Sequence, residues 1–374
     1  MPSMPTTIDR IETIVFRLPL KDPLRWGKAS VLDDLVHVLV RVTLSDGADG
    51  VAEAPPRPTI YGETVHSITG IIAQELSPRL LGETVTPERL PLLYDRMAQI
   101  KNNHTARGAL DMALWDALAA HQGVSLGQML KSTSSRVPVS YILGIGAEDK
   151  VIAEAQRVTA QGVRVLKVKV GRDWRADAAR LARLQEILGP DVILYVDANE
   201  CFDADNAAER LSVLAEMGIR YCEEPLPVEL IQERADLCRR QHLPLIADDS
   251  AFSVRDLRRE LALNTFDVLN IKTARTGYTE STQMLDLARQ AHKGIMIGSQ
   301  AAAGLGTVRA ALFAAKDGIQ HPSELSFFLK LDADLLTTPL VISDGYLQMS
   351  DVLAATLDPQ RVRDATLEHA EHLA

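Results

Sequence analysis

From Val137 onward the chain alternates short apolar runs with longer segments whose apolar residues recur at helical spacing. Eight such runs can be read: VPVSYILG, VRVLKVKVG, VILYVDAN, IRYCEEP, LPLIADDS, FDVLNIKT, GIMIGSQ and GIQHPSELS. Polar residues late in five consecutive runs, Lys169, Asp197, Glu223, Asp248 and Lys272, are 28, 26, 25 and 24 residues apart. A strand, a helix and two short loops occupy that length. The pattern therefore predicts an α/β fold of the (β/α)8 type, a TIM barrel, over residues 133–330.

The first third of the chain has a different pattern of apolar and polar residues. Two strand-like runs, IETIVFRLPL and LVHVLVRVTL, are joined by a segment containing KDPLRWGKAS, and helical patterns follow from about residue 64 to 130. Between them lies a loop rich in Pro and Gly, EAPPRPTIYGET. These features predict an α+β domain over residues 1–132. The tail, residues 331–374, has strand and turn character and is expected to pack back on that domain.

Composition narrows the class of partner and compartment. The net charge of −10 argues against nucleic acid or an anionic membrane as the main partner, whereas it leaves a small anionic substrate open. Three cysteines make no disulfide framework, which fits a reducing cytoplasm. The N-terminal residues lack a cleavable apolar segment and no apolar run approaches 18 residues, so neither export nor a membrane span is expected.

Three acidic residues follow three successive predicted strands. The active site of such a barrel lies at the carboxyl ends of its strands, so Asp197, Glu223 and Asp248 are expected to converge at one mouth. Their mutual repulsion would be severe without a cation. A cluster of oxygen ligands with high negative charge suits Mg²⁺, with Mn²⁺ as a possible substitute.

Lysines surround the predicted metal site. Lys167 and Lys169 lie two residues apart on one strand and share a face, and Lys272 follows a strand on the opposite side of the mouth. Desolvation, a neighbouring ammonium group and a divalent cation are each expected to lower a lysine pKa toward about 7–8, where it can act as a base. Two opposed bases beside a metal that stabilises an enolate describe removal of a proton next to a carboxylate.

Taken together, these motifs resemble the enolase superfamily and, within it, the muconate lactonizing enzyme subgroup of the mandelate racemase/muconate lactonizing enzyme family. The matching stretches are Lys167-x-Lys169, Asp197-x-Asn199, Glu223-Glu224-Pro225, Asp248-Asp249-Ser250 and Lys272. The resemblance implies that the N-terminal α+β domain caps the barrel. It also implies metal ligation by Asp197, Glu223 and Asp248, an acid/base pair of Lys169 and Lys272, and a substrate-binding Lys167. Asn199 and Asp249 would support the ligands, although an aspartate after a strand can also simply cap a helix.

The same resemblance points to residues that contact substrate. Two cap segments, residues 24–30 and 54–64, match loops that close over the substrate in the family. Arg57 and Tyr61 lie in the second segment and are predicted to contact substrate, a solvated loop being the alternative. Gln300, the last residue of the seventh run, and Glu324, in an E-L pair near the end of the eighth, complete the predicted substrate contacts.

The sequence indicates proton transfer beside a carboxylate more clearly than it indicates which reaction follows. Relatives that epimerise dipeptides carry a D-x-D pair on the eighth strand, which HPSELSFF lacks, and the strand-7 glutamate of many relatives is missing at Ala302. Arg275 and Tyr278 replace small residues after Lys272 and are expected to reshape the pocket. We therefore predict a Mg²⁺-dependent isomerase of a small carboxylate, a muconate-cycloisomerase-like enzyme first and a racemase or epimerase of N-acyl or modified amino acids second. A Schiff-base lysine aldolase and a non-catalytic binding barrel remain further alternatives. The resemblance also implies a homo-oligomer, often an octamer.

Overall fold

A computed structural model describes residues 5–374. Its N-terminal part combines an antiparallel sheet with a set of helices. The strands are β1 (Thr6–Trp26), β2 (Ser30–Leu44), β3 (Asp49–Ala54) and β4 (Thr84–Val85), and the helices are α1 (Val65–Ile71), α2 (Ser77–Leu80), α3 (Leu90–Ala98), α4 (His104–His121) and α5 (Leu126–Leu130). A π-helical turn, Ile72–Leu76, links α1 to α2. β1 pairs with β2 and β4, and β2 pairs with β3.

The segment that joins the first two apolar runs is itself a β-hairpin. β1 and β2 remain paired as far as Trp26 opposite Ser30, after an irregularity between Pro19 and Leu24. The turn places Gly27 at φ 54°, a conformation that glycine adopts at little cost. The hydrophobic pattern did not reveal this hairpin because its strands are largely exposed and need no alternation of apolar residues.

The barrel contains seven regular parallel strands that follow one another in sequence order around the sheet. A short strand, β5 (Arg136–Pro138), precedes them. The seven are β6 (Tyr141–Leu143), β7 (Val165–Lys169), β8 (Ile193–Asp197), β9 (Cys222–Glu223), β10 (Leu245–Ala247), β11 (Val268–Ile271) and β12 (Gly294–Ile297). The helices are α6 (Glu148–Ala160), α7 (Trp174–Leu188), α8 (Ala204–Glu216), α9 (Ile231–Arg240), α10 (Val254–Leu263), α11 (Thr273–Gln290) and α12 (Gly304–Ala314), with a 3₁₀ turn at Asp249–Ala251. Each strand overlaps one of the first seven predicted runs, which confirms the predicted fold class.

The eighth predicted run closes the barrel without forming a regular strand. On one side, the amide of Glu324 donates to the carbonyl of Ile297 at 2.8 Å. On the other, the amide of Ser323 donates to Pro138 at 2.9 Å, and the amide of Ser140 donates back to Ser323 at 2.8 Å. Proline at position 322 has no amide hydrogen to contribute to a ladder, which explains the irregular geometry.

The C-terminal segment returns to the N-terminal sheet. It comprises a 3₁₀ turn at Phe327–Lys330, β13 (Ile342–Ser343), β14 (Tyr346–Gln348), α13 (Met349–Ala354), α14 (Pro359–Ala365) and β15 (Thr366–Leu373). β14 pairs with β13 and β5, and β15 pairs antiparallel with β1. The boundaries of the three predicted regions, 1–132, 133–330 and 331–374, remain predictions. Among the described residues, no helix is both long and apolar enough to span a bilayer.

Helix α4 fixes the cap to the barrel. Gly108 of α4 lies against the backbone at the start of α11, where a Cβ atom would come 2.7 Å from the carbonyl oxygen of Ala274. One turn later, the Asp111 carboxylate accepts hydrogen bonds from the amides of Tyr278 and Thr279 at 2.6 and 2.9 Å. Those amides begin the longer part of α11, which is interrupted at Gly277 with φ 63°. The contact therefore anchors the helix that follows Lys272.

Candidate active site

The register of the sheet brings the predicted site residues to one level. Lys169 on β7 lies opposite Asp197 on β8, and Asp197 lies opposite Glu223 on β9. In-register residues of parallel strands point to the same face, so these three side chains meet inside the barrel mouth. Asp248 and Lys272 directly follow β10 and β11. All five side chains are buried.

Lys167 binds three carboxylates. Its ammonium group lies 2.6 Å from Glu223 Oε1 and 2.9 Å from Asp197 Oδ2, and it donates a short hydrogen bond to Glu324. Lys169 donates to Asp197 Oδ2 at 2.5 Å and to Asn199 Oδ1 at 3.0 Å. The two lysines of one strand therefore divide their contacts, since Lys167 points deep among the acids while Lys169 also lines the cavity.

The opposite side of the mouth carries a second set of ion pairs. Lys272 donates to the Asp248 carboxylate. Arg275, fully buried, lies 3.3 Å from Asp248 Oδ1 and 3.1 Å from Asp249 Oδ1, with its guanidinium carbon 4.1 Å from the centre of the Phe252 ring. Arg275 thus lies behind the two aspartates and holds them in place, instead of entering the pocket or forming a surface salt bridge.

Tyr278 does not shape the pocket either. Its hydroxyl donates to the carbonyl of Arg309 at 2.9 Å, and its ring stacks on Phe313 with centroids 6.0 Å apart. The expectation that Arg275 and Tyr278 reshape the pocket is therefore wrong. Both side chains pack between the helices and the strand ends. Their positions in the sequence after Lys272 could not reveal this.

The surroundings of the three acidic side chains shift their pKa values in different directions. Burial raises the pKa of Asp197 and Asp248, but adjacent cations outweigh it. The pKa of Asp197 lies far below its usual range beside Lys167 and Lys169, and that of Asp248 is about 2 beside Lys272 and Arg275. Burial and the neighbouring carboxylates raise the pKa of Glu223 well above its ordinary value. Burial lowers the pKa of Lys167 and Lys272, yet their carboxylate partners raise both above normal. The carboxylates thus keep these two lysines protonated.

The donor atoms fit a hard divalent cation. Asp197, Glu223 and Asp248 offer only oxygens, all are buried, and Asp248 Oδ1 has no hydrogen-bond partner. Glu224, next to Glu223, accepts hydrogen bonds from the amides of Asp248 and Ser250 at 2.7 and 2.8 Å. This contact fixes the backbone at Asp248, so Glu224 positions a predicted metal ligand.

A second cluster of possible ligands lies on the cap. Among residues 5–374, single ligand atoms of Glu12, His369 and Glu371 come within 4.8 Å of one another. Arg10 Nε already lies 3.3 Å from Glu12 Oε2 and supplies a local positive charge. His369 and Glu371 are exposed, and such surface clusters are common without an ion. This cluster therefore carries no argument for a metal.

The cavity at the barrel mouth has walls from both domains. Leu24, Trp26, Arg57 and Ile60 line it from the cap, and Ile142, Lys169, Asn199, Asp248, Asp249, Lys272, Ser299, Gln300 and Ala301 line it from the barrel. Lys169 and Lys272 therefore reach one cavity from well-separated strands. Glu324, predicted to contact substrate, does not line this cavity. Its carboxylate instead meets Lys167 and accepts from the amide of Ser299 at 2.8 Å.

Arg57 and Tyr61 tie the cap loop to the barrel. Arg57 is buried and donates to the carbonyls of Pro56, Gln300 and Ala301. Tyr61 donates to Gln300 Oε1 at 3.3 Å. The Nε2 group of Gln300 is buried without a hydrogen-bond partner at the edge of the cavity. Gln300 therefore offers the free donor among these three residues.

Sequence reasoning missed a buried pair behind Arg57. Arg57 donates to His37 Nε2 at 3.2 Å, so the other ring nitrogen, Nδ1, donates to Glu53 at 2.5 Å. Glu53 also accepts from the amides of Ala303 and Gly306 at 2.9 Å, at the start of α12. His37 and Glu53 lie on neighbouring cap strands, and a polar residue inside each apolar strand was the one available signal.

Comparison with known proteins agrees with this geometry. Residues 10–130 match the family described as mandelate racemase/muconate lactonizing enzyme, N-terminal domain, and residues 150–360 match the enolase C-terminal domain-like family. The chain is similar to L-Ala-D/L-Glu epimerase of Bacillus subtilis (strain 168), with 30% identity over 82% of this chain and 85% of that protein. It is also similar to muconate cycloisomerase 1-1 of Acinetobacter lwoffii, with 30% identity over 96% of each.

A solved structure extends the likeness to the fold. Muconate lactonizing enzyme from Mucobacterium Smegmatis, in complex with muconolactone, superposes with a TM-score of 0.91 and 36% identity, covering 97% of this chain and all of that one. The two family matches together span most of the chain, from the cap through the barrel. The chain belongs to the mandelate racemase/muconate lactonizing enzyme family of the enolase superfamily.

Proposed function

We propose that this protein is a Mg²⁺-dependent cycloisomerase of an unsaturated dicarboxylate, of the muconate type. Membership of the family makes the chain an isomerase of the enolase superfamily, and the proposal concerns its substrate and reaction. The observation that carries it is the placement of Lys169 and Lys272 on one cavity whose cap side holds the buried cation Arg57.

The charges around the cavity favour an anionic substrate. Three cationic side chains, Lys169, Lys272 and Arg57, line it. The two aspartates that line it, Asp248 and Asp249, are already paired with Lys272 and Arg275. A substrate ammonium group would find no free carboxylate here, whereas a carboxylate would find the unpartnered Gln300 Nε2 group and the lysines that Mg²⁺ would release from Asp197 and Asp248. A dicarboxylate therefore fits better than a dipeptide with a free amino group.

The chain's own residues supply proton transfer and binding. Asp197, Glu223 and Asp248 would hold Mg²⁺, which when bound stabilises negative charge on a substrate carboxylate and competes with the lysines for the acids. In lactone formation one carboxylate oxygen adds to a C=C bond, and the displaced electron pair is protonated at the α-carbon. In the proposed reaction a lysine ammonium group, Lys169 or Lys272, gives that proton. The acid forms of substrate and product have the same composition, as an isomerisation requires, and solvent returns the proton to the lysine.

Racemisation or epimerisation is the second candidate. Two protonatable groups on one cavity are also what exchange of an α-proton between two faces requires, and L-Ala-D/L-Glu epimerase is among the similar proteins. That reaction needs both lysines, one for each face, whereas lactone formation needs one proton donor. A Schiff-base aldolase is not favoured, because it uses one lysine nucleophile and needs no cluster of three buried carboxylates such as Asp197, Glu223 and Asp248.

The experiment is a substrate panel followed by NMR in D₂O. Purified protein with Mg²⁺ is offered cis,cis-muconate, N-succinyl amino acids and dipeptides, with an EDTA-treated sample as the control. The proposal expects a lactone from muconate with one deuterium at the α-carbon, and no turnover after EDTA. Exchange of the α-proton in amino-acid derivatives without conversion of muconate would instead establish the second candidate.

A further inference from the structure

The outer edge of the N-terminal sheet is an exposed strand. β15 pairs with β1 on one side, and no other strand among the described residues pairs with its far side. Most of its side chains are exposed, including Leu367 and Leu373 at 56% and 67%. An eight-residue edge without proline or lysine is a template for another strand, because its outward amides and carbonyls lack partners.

The hydrogen-bond pattern identifies the outward groups. The amide of Ala374 donates to the carbonyl of Asp9 at 2.9 Å, next to the facing pair Leu373 and Arg10. Bonded and non-bonded pairs alternate along antiparallel strands. Residues 368, 370 and 372 therefore bond to β1, whereas the backbones of residues 369, 371 and 373 face outward. A second strand must accordingly place its own odd-numbered residues opposite these.

The side chains of β15 are self-complementary in one such register. The strand reads Leu-Glu-His-Ala-Glu-His-Leu over residues 367–373. In an antiparallel pair centred on Ala370, His369 lies opposite Glu371 of the partner subunit, and Glu368 lies opposite the partner's His372. The two exposed leucines flank these pairs and also fall opposite each other. Registers centred one residue away, on 369 or 371, set histidine against histidine or glutamate against glutamate.

We propose that β15 is a dimerisation strand and that its partner is β15 of a second copy of this chain. Pairing about Ala370 satisfies the outward backbone groups and joins the two five-stranded sheets into one. It forms four Glu–His pairs, and cross-strand contacts between complementary polar side chains stabilise antiparallel strands. Within the chain, His369 Nε2 lies 3.1 Å from Glu12 Oε1, which holds its ring on the sheet face it shares with Glu371.

Disulfide trapping tests the register. In the proposed pair the two copies of residue 370 face each other at a non-hydrogen-bonded position, with Cα atoms roughly 4.5 Å apart, within disulfide range. Ala370→Cys should form a reducible covalent dimer under mild oxidation. Glu368→Cys is the matched control, because its two copies lie four residues out of register, roughly 13 Å apart. No dimer from Ala370→Cys, or equal dimer from both variants, overturns the proposal.

An exchange of the paired residues tests the register without a cross-link. His369→Glu sets glutamate against glutamate twice and should halve the number of subunits seen by sedimentation velocity. The double variant His369→Glu/Glu371→His restores the pairs in reversed order and should recover the wild-type assembly. A monomeric wild type, or a His369→Glu variant with unchanged assembly, contradicts the proposal. Circular dichroism confirms that each variant is folded.

Discussion

At the scale of the residue, Lys167 shows how a barrel strand tolerates a buried charge. Taking an ammonium group out of water costs several kcal/mol unless it is paired and hydrogen-bonded. Lys167 contacts the carboxylates of Asp197, Glu223 and Glu324, which offsets that cost. The same contacts restrain the acids predicted to bind Mg²⁺. Strand β7, which is unusual in burying lysines, thus helps to hold the acidic side chains of the site in place.

A substitution of Gln300 tests the proposed specificity for a dicarboxylate. Its unpartnered Nε2 group at the cavity should donate to a substrate carboxylate. Loss of one hydrogen bond to a charged group costs about 1.5–3 kcal/mol, so Gln300→Ala should raise KM for the dicarboxylate on the order of tenfold or more. Gln300→Glu, similar in size but anionic, should raise it further. Steady-state kinetics that show an unchanged KM in both variants would remove Gln300 from the substrate site.

His37 predicts a pH dependence of stability. Burial lowers its pKa to about 4, although Glu53 partly opposes the shift. The unfolded chain therefore takes up a proton near pH 6.5 that the folded chain resists, so stability is full above pH 6.5 and falls as the pH drops toward 4. The loss is about 3 kcal/mol. Urea unfolding at several pH values should show that the free energy of unfolding depends less on pH in His37→Gln than in the wild type. The same pH dependence in both proteins would refute the assignment.

At the scale of the element, the parallel strands were predictable and their connections were less so. Strands buried on both faces are near-continuous apolar runs, which made seven of them visible in the sequence. Pro322 interrupts the eighth, and the hairpin of β1 and β2 near Gly27 is too exposed to show a pattern. The His37–Glu53 pair also escaped prediction, because local spacing carries no information about contacts between the cap and α12.

The interrupted helix α11 depends on its contact with α4. Asp111 accepts three hydrogen bonds where the longer part of α11 begins, two from amides and one from the Thr279 hydroxyl. Asp111→Ala should leave those amides buried without partners and lower the free energy of unfolding by about 2–4 kcal/mol. Asp95→Ala, on the exposed side of α3, should change it by less than about 0.5 kcal/mol. Equal urea midpoints for the two variants would contradict this role.

At the scale of the whole molecule, the active site belongs to two domains at once. The cap closes the cavity with Trp26, Arg57 and Ile60, while the barrel contributes the charged residues. Arg57 binds the carbonyls after β12, and Glu53 caps α12 through the amides of Ala303 and Gly306. The shape of the cavity is therefore set by how the cap docks, which explains why motifs on the barrel predict the chemistry but not the substrate.

Metal binding should be visible in the stability of the whole chain. A cation that binds the folded protein at 100 times its dissociation constant adds about 2.7 kcal/mol, so Mg²⁺ should raise Tm above its value in EDTA. Asp248→Asn should reduce that rise. Glu12→Gln, at the other ligand cluster, is the control and should keep it. Loss of the Mg²⁺ effect in Glu12→Gln but not in Asp248→Asn, measured by calorimetry, would move the metal site to the cap.

The central claim is that Lys169 and Lys272 serve one cavity and that at least one of them transfers a proton to the substrate. The most direct measurement is turnover of muconate by Lys169→Met and Lys272→Met in D₂O, followed by NMR, with the exposed-residue variant Lys21→Met as the control. We expect Lys21→Met to match the wild type. In at least one active-site variant, turnover should fall on the order of 10³-fold, and the rate of deuterium incorporation at the α-carbon should fall with it. Wild-type turnover in both active-site variants would contradict the account.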